Sequence, residues 1–218
     1  IVQYCMSMGP SASKAPQPLE PLSTRDSEEE LIARFGISAI EAAATSSFHE
    51  VRPRLFLGSI AAALDPSEVH EQELTHVVNC LHAANARFAE ALPPPDQLKR
   101  ARCPQYTPPS RLEYLSLDLA DQPAEQIIDQ LPAAVGFIRH ALENNERSRV
   151  LVHCMAGVSR SATVVAAYIM ATERITAARA LMEVQLVRCC ANPNSGFRSQ
   201  LLQFEARLEE ELAAPRAQ

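Results

Sequence analysis

The 218 residues carry a net charge of −6 and are 47% hydrophobic, which suits one globular domain with flanking tails. This balance leaves no basic footprint for nucleic acid or an anionic membrane, and no apolar run approaches the length of a membrane span. Six cysteines stand at no metal-like or disulfide-like spacing, so neither a metal nor a cofactor is expected, and a reducing cytoplasmic compartment, or also the nucleus, fits best.

The chain opens at Ile1 without a methionine or a basic-then-apolar secretory start, as a fragment of an intracellular protein would. Residues 1–27 contain a run rich in Pro, Ser and Ala that cannot bury a core and reads as a disordered tail. Residues 28–50 read as an accessory helical arm. Ser27 followed by Glu30 has capping-box spacing, and Leu31, Ile32, Phe35, Ile37 and Ile40 form an apolar pattern broken by Gly36. Packing on the domain is the preferred role of this arm, ahead of docking or regulation.

The domain proper spans residues 51–212, with a short tail at 213–218. Arg54–Gly58 reads as a strand, Pro66 opens a short helix with Val69 and Leu74, and His76–Leu81 is a buried strand of the parallel kind. Residues 84–109 form a Pro-rich insertion loop holding Pro93-Pro94-Pro95, Pro108-Pro109 and the basic residues Lys99, Arg100 and Arg102. Solvation of those charges is preferred over a substrate-attracting role. Leu112–Leu119 alternates as a strand. Pro123 is expected to open a helix through Ile127, Ile128 and Leu131, and Pro132 a second segment. Arg149–Cys154 is the next strand and Ser161–Thr172 the helix after it. Thr176 caps Ala177–Val187, and Gly196–Leu212 forms a last helix with Phe197, Leu201, Phe204 and Leu208 on one face. Strands alternating with helices imply an α/β fold, a central, mostly parallel sheet with helices on both faces.

The string His153-Cys154-Met155-Ala156-Gly157-Val158-Ser159-Arg160-Ser161 lies between that strand and helix. A strand turning sharply into a helix leaves the first N–H groups unpartnered, and with the helix dipole they form an anion site. Thiolates are stabilised at such places. Arg160 offers a planar fork for two phosphate oxygens, and Gly157 suits backbone that must curl with positive φ. A lone cysteine at a strand end is most often a small buried apolar residue, but the full string in this context reads as a phosphate cradle with a nucleophile at its floor.

The string resembles the active-site loop of the cysteine-dependent protein phosphatases, and Ala-Gly-Val-Ser-Arg-Ser-Ala-Thr looks like the dual-specificity branch, of the small atypical type. The resemblance covers roughly Arg54 to Leu208, with Leu55-Phe56-Leu57-Gly58, the Asp121 segment and Asn192–Phe197 as further matching pieces. It implies the family's phosphatase fold and hydrolysis of phosphotyrosine and phosphoserine or phosphothreonine through a cysteinyl-phosphate. Cys154 would be the nucleophile, Arg160 the clamp, and the backbone of Met155, Ala156, Gly157, Val158, Ser159 and Arg160 the phosphate cradle.

Asp121 matches the family's general acid and is chosen over Asp118, which lies within the strand. An N-cap for a helix at Pro123 is a second use for it. The family hydroxyl at Ser161 bonds the sulfur, although a plain helix-start hydroxyl is equally consistent. His153 is expected to order the loop. Cys80 stands where some relatives keep a cysteine that traps the oxidised nucleophile, but a buried strand cysteine is the preferred reading.

The uncharged loop residues disfavour a phosphoinositide, so a phosphorylated protein is the expected partner, a mitogen-activated protein kinase by analogy only. A phosphoprotein-binding pseudophosphatase and a phosphatase of RNA 5′ ends or glycans are the alternatives. Cys154, Arg160 and Asp121 together count against the first and the acidic charge against the RNA substrate. The oligomeric state is left open.

Overall fold

The computed structural model describes residues 48–63, 66–81 and 112–213. The expectations for the disordered tail, most of the arm and the Pro-rich loop, with Lys99, Arg100 and Arg102, fall outside those residues. Five strands form one sheet: β1 (His49–Arg52), β2 (Leu55–Ser59), β3 (His76–Asn79), β4 (Glu113–Ser116) and β5 (Val150–Cys154). Their order is β1-β2-β5-β3-β4, so β5 is central. It runs parallel to β2 and β3, and β3 runs parallel to β4; β1 alone is antiparallel to its neighbour, β2. The mostly parallel α/β sheet is therefore present. His49 and Glu50, assigned from sequence to the arm, are sheet residues.

Side chains alternate across a strand, and the two faces of the sheet bury two clusters. Leu55, Leu57, Val78, Val150 and Val152 point into the larger one. Its other side is built by α3 (Leu131–Asn144), α4 (Arg160–Glu173), α5 (Ala177–Val187) and α6 (Ser195–Ala213). Phe56, Val77 and Leu151 face the smaller cluster under the short helices α1 (Ile60–Ala63) and α2 (Pro66–Glu71), which supply Ala63 and Val69. A strand buried on both faces reads as a continuous apolar run. Both β2 and β5 are buried at every position.

Thr176 caps α5 as expected, its hydroxyl accepting from the Arg179 N–H. The last helix also lays Phe197, Leu201 and Phe204 against the core, with Leu208 partly buried.

The expected helix at Pro123 does not form. Only a 3-10 turn, Ile127–Asp129, precedes α3, and Pro132 lies in the first turn of α3 itself. Tertiary contacts override the local preference here. The Gln200 side chain of α6 accepts from the Ile128 N–H at 3.0 Å and donates to the Glu125 carbonyl at 2.7 Å, holding the segment open. Gly196 lies so close beneath Pro123 that a Cβ there would overlap its carbonyl. An Asp121 N-cap for a helix at Pro123 is excluded along with that helix.

Two glycine substitutions separate these effects. Gly196→Ala must push backbone apart and is expected to destabilise the domain by roughly 1–3 kcal/mol. Gly136, mid-helix in α3 with open space around it, should gain about 0.5–1 kcal/mol when changed to Ala. Urea denaturation midpoints check both signs.

Candidate active site

β5 delivers Cys154 to the carboxyl edge of the sheet, between Ser59 of β2 and the chain leaving β3. The thiol is 1% exposed. Its sulfur receives the Gly157 N–H at 3.3 Å and the Ser161 hydroxyl at 3.2 Å. The Ser161 hydroxyl thus bonds the sulfur, one of the two uses open to it from sequence.

The loop from Met155 to Ser159 turns because each of its carbonyls has an outside partner. Met155 O accepts from Ile60 N at 3.2 Å, and Ala156 O from Arg188 Nη2 at 2.9 Å. Gly157 O accepts from Arg188 Nε, and Val158 O from Asn192 N, both at 2.8 Å. Ser159 O takes the Thr163 N–H and hydroxyl. In a trans peptide the C=O of one residue and the N–H of the next point opposite ways. Drawing carbonyls 155–158 outward therefore turns N–H groups 156–159 inward, and the Gly157 N–H does reach the sulfur. Gly157 makes the curl with φ +70°. A Cβ there would stand 2.6 Å from Gly58 O and 2.8 Å from Arg188 Nη2, so only glycine fits.

Arg160 opens α4 with its side chain buried. Nη1 donates to Leu119 O at 3.3 Å and Nε lies 3.4 Å from Asp121 Oδ2. That last contact is an ion pair rather than a hydrogen bond, since Nε makes no well-aligned bond. The other Asp121 oxygen accepts from the Ser159 hydroxyl at 2.7 Å and from Asn194 Nδ2 at 2.9 Å. Arg160, Ser159 and Asn194 thus all contact Asp121, the residue expected from sequence to be the acid.

Around this centre, Met155 is 40% exposed at the rim, and Ala156 and Val158 are half-buried. His153 lies buried under the loop. Burial, opposed by a bond to the Cys154 backbone and aided by the Arg160 charge, lowers its pKa to about 4. Burial therefore favours the neutral ring. Cys80 continues β3 beside Cys154, its N–H on the His153 carbonyl at 2.9 Å. Burial, then the neighbouring Cys154, pushes its thiol well above the ordinary range.

Sequence reasoning missed Arg188, Asn194 as a side-chain partner, and the outward use of the Ser159 hydroxyl. The Asn-Pro-Asn turn hinted at the second; no local signal marks an arginine at a helix end as a loop support.

Residues 55–207 match the family model described as dual specificity phosphatase, catalytic domain. The chain is 38% identical over 174 residues to dual specificity protein phosphatase 13B of Mus musculus, covering 78% of each. It is 31% identical over 160 residues to dual specificity protein phosphatase 22-B of Danio rerio, covering 73% of this chain and 75% of the relative. The crystal structure of the human tyrosine phosphatase-like serine/threonine/tyrosine-interacting protein is similar with a TM-score of 0.60 at 34% identity, across 74% of this chain and 97% of that one.

A pH prediction follows from His153. Its folded pKa of about 4 lies below the ordinary 6.5, so its contribution is fully present above pH 6.5 and is lost as pH falls toward 4. That loss should be on the order of 3 kcal/mol. Denaturation midpoints across this window should drop, and less steeply in His153→Asn.

Proposed function

The chain belongs to the dual specificity phosphatase family, and on that premise we propose that it hydrolyses phosphotyrosine and phosphoserine or phosphothreonine in proteins through a cysteinyl-phosphate. The observation that carries this reading is the placement of the Cys154 sulfur under inward-turned N–H groups, with Arg160 and Asp121 paired beside it.

In the first step Sγ attacks phosphorus, forming the S–P bond as the P–O bond to the substrate breaks. A bound phosphate takes the Arg160 fork, and the charge of the loose transition state spreads over oxygens facing Arg160 and the loop amides. Asp121, on the turn beyond β4, gives its proton to the departing oxygen. In the second step water attacks phosphorus, Asp121 takes the water proton, and the S–P electron pair returns to sulfur. The Gly157 N–H and Ser161 hydroxyl meet that returning charge. Ser159 and Asn194 hold Asp121 within reach through both steps.

The rim residues Met155, Ala156 and Val158 carry no charge, which favours a phosphorylated side chain over a polyanionic lipid head group. A mitogen-activated protein kinase is one protein of the required class. Phosphoprotein binding without turnover is the second reading, because a structural neighbour is named an interacting protein. Cys154 bonded by Ser161, and Asp121 paired with Arg160, support turnover instead.

Hydrolysis of an aryl phosphate, with a chelator present, tests the proposal. Cys154→Ser should abolish turnover and Asp121→Ala should lower it by about 10²–10⁴-fold. Turnover surviving in Cys154→Ser would contradict the mechanism, and wild-type oxyanion binding without turnover would favour the binding reading.

A further inference from the structure

The edge strand β1 precedes the family-matched residues 55–207, yet its first residue reaches the support of the phosphate loop. Arg188, the residue that ends α5, is 2% exposed. Three of its N–H groups go to neutral acceptors: Gly157 O at 2.8 Å, Ala156 O at 2.9 Å and His49 Nδ1 at 2.9 Å. A guanidinium is a rigid planar fork. Two contacts on one edge leave the plane free to tilt about them; a third, on another nitrogen, fixes it. We propose that His49 is a positioning residue for phosphate binding, holding the Arg188 plane that turns the Ala156 and Gly157 carbonyls outward. The inference rests on the phosphatase reading of the loop.

Several features agree. Arginine only donates, so Nδ1 must be bare and the ring neutral; burial, then the Arg188 charge, lowers the His49 pKa in that direction. The adjacent Phe48 ring would stand 2.5 Å from a Cβ on Gly58, whose carbonyl in turn leaves no room for a Cβ on Gly157. The start of β1 therefore packs on Gly58 with one residue and reaches Arg188 with the next. At its other end Arg52 bonds Glu173 of α4 and Glu183 of α5, tying the strand down. Without the His49 acceptor, a buried N–H of Arg188 loses its partner. The guanidinium then turns toward water, and the Gly157 and Val158 N–H groups rotate away from the anion.

The test uses the full chain, with orthovanadate as the oxyanion probe alongside aryl phosphate kinetics and thermal midpoints. His49→Leu keeps bulk and removes the acceptor. It should weaken vanadate inhibition and lower kcat/KM by roughly tenfold each. In His49→Asn the amide Oδ1 stands near the place of Nδ1, so both quantities should return to within about threefold of wild type. Wild-type vanadate affinity in His49→Leu, or equal impairment of the Asn and Leu variants, overturns the proposal. Should His49→Leu fail to fold, Arg188→Lys, which keeps charge and loses the fork, must show the same loss, and wild-type affinity there overturns it. A wild-type protein that binds vanadate without hydrolysis leaves the comparison of affinities intact and sinks only the turnover reading. One that does not bind vanadate overturns both.

Discussion

The site depends on one backbone constraint: a loop can offer a row of N–H groups to an anion only if its carbonyls are satisfied on the other side. A buried carbonyl without a partner costs about as much as a lost hydrogen bond, roughly 1–3 kcal/mol. Five consecutive residues here, Met155 to Ser159, have theirs provided by Ile60, Arg188, Asn192 and Thr163. Those partners come from α1, the end of α5, the turn before α6 and the loop's own helix. The sheet order, with β5 central, is what brings them to one point.

The electrostatics follow from that scaffold. Arg160 is buried at the helix start with Asp121 beside it, and both aspartate oxygens are engaged, one by the guanidinium and one by Ser159 and Asn194. The Asn192–Asn194 turn serves twice. Its backbone supports the Val158 carbonyl and its Asn194 side chain holds Asp121. Arg198 braces this turn from within α6, donating to the Pro193 carbonyl and to the Asn192 side chain. Cys154, Arg160 and Asp121 are thus held by pieces of chain that meet at one end of the sheet.

Much of this was legible in the chain itself. The apolar runs at His76–Leu81 and Arg149–Cys154 betrayed strands buried on both faces, and the Cys-to-Arg spacing marked the cradle, because those features are local. The strand end did not separate Asp118 from Asp121: β4 stops at Ser116, short of the expected Leu119, so both aspartates lie beyond it and only the resemblance pointed to Asp121. The helix at Pro123 was misread because Gln200 and Gly196, more than seventy residues away, decide that segment. Arg188 and His49 were invisible for the same reason. An arginine at a helix end and a histidine at the start of a short edge strand carry no pattern, and only folding places them 2.9 Å apart.

The most direct test of the account is rapid-quench mass spectrometry of Asp121→Ala after mixing with an aryl phosphate, whose good leaving group needs little acid assistance in the first step. The account predicts a phosphate adduct on the peptide containing Cys154, accumulating because Asp121 is missing from the hydrolytic step. Steady turnover with no adduct at Cys154, or an adduct on another residue, would contradict it.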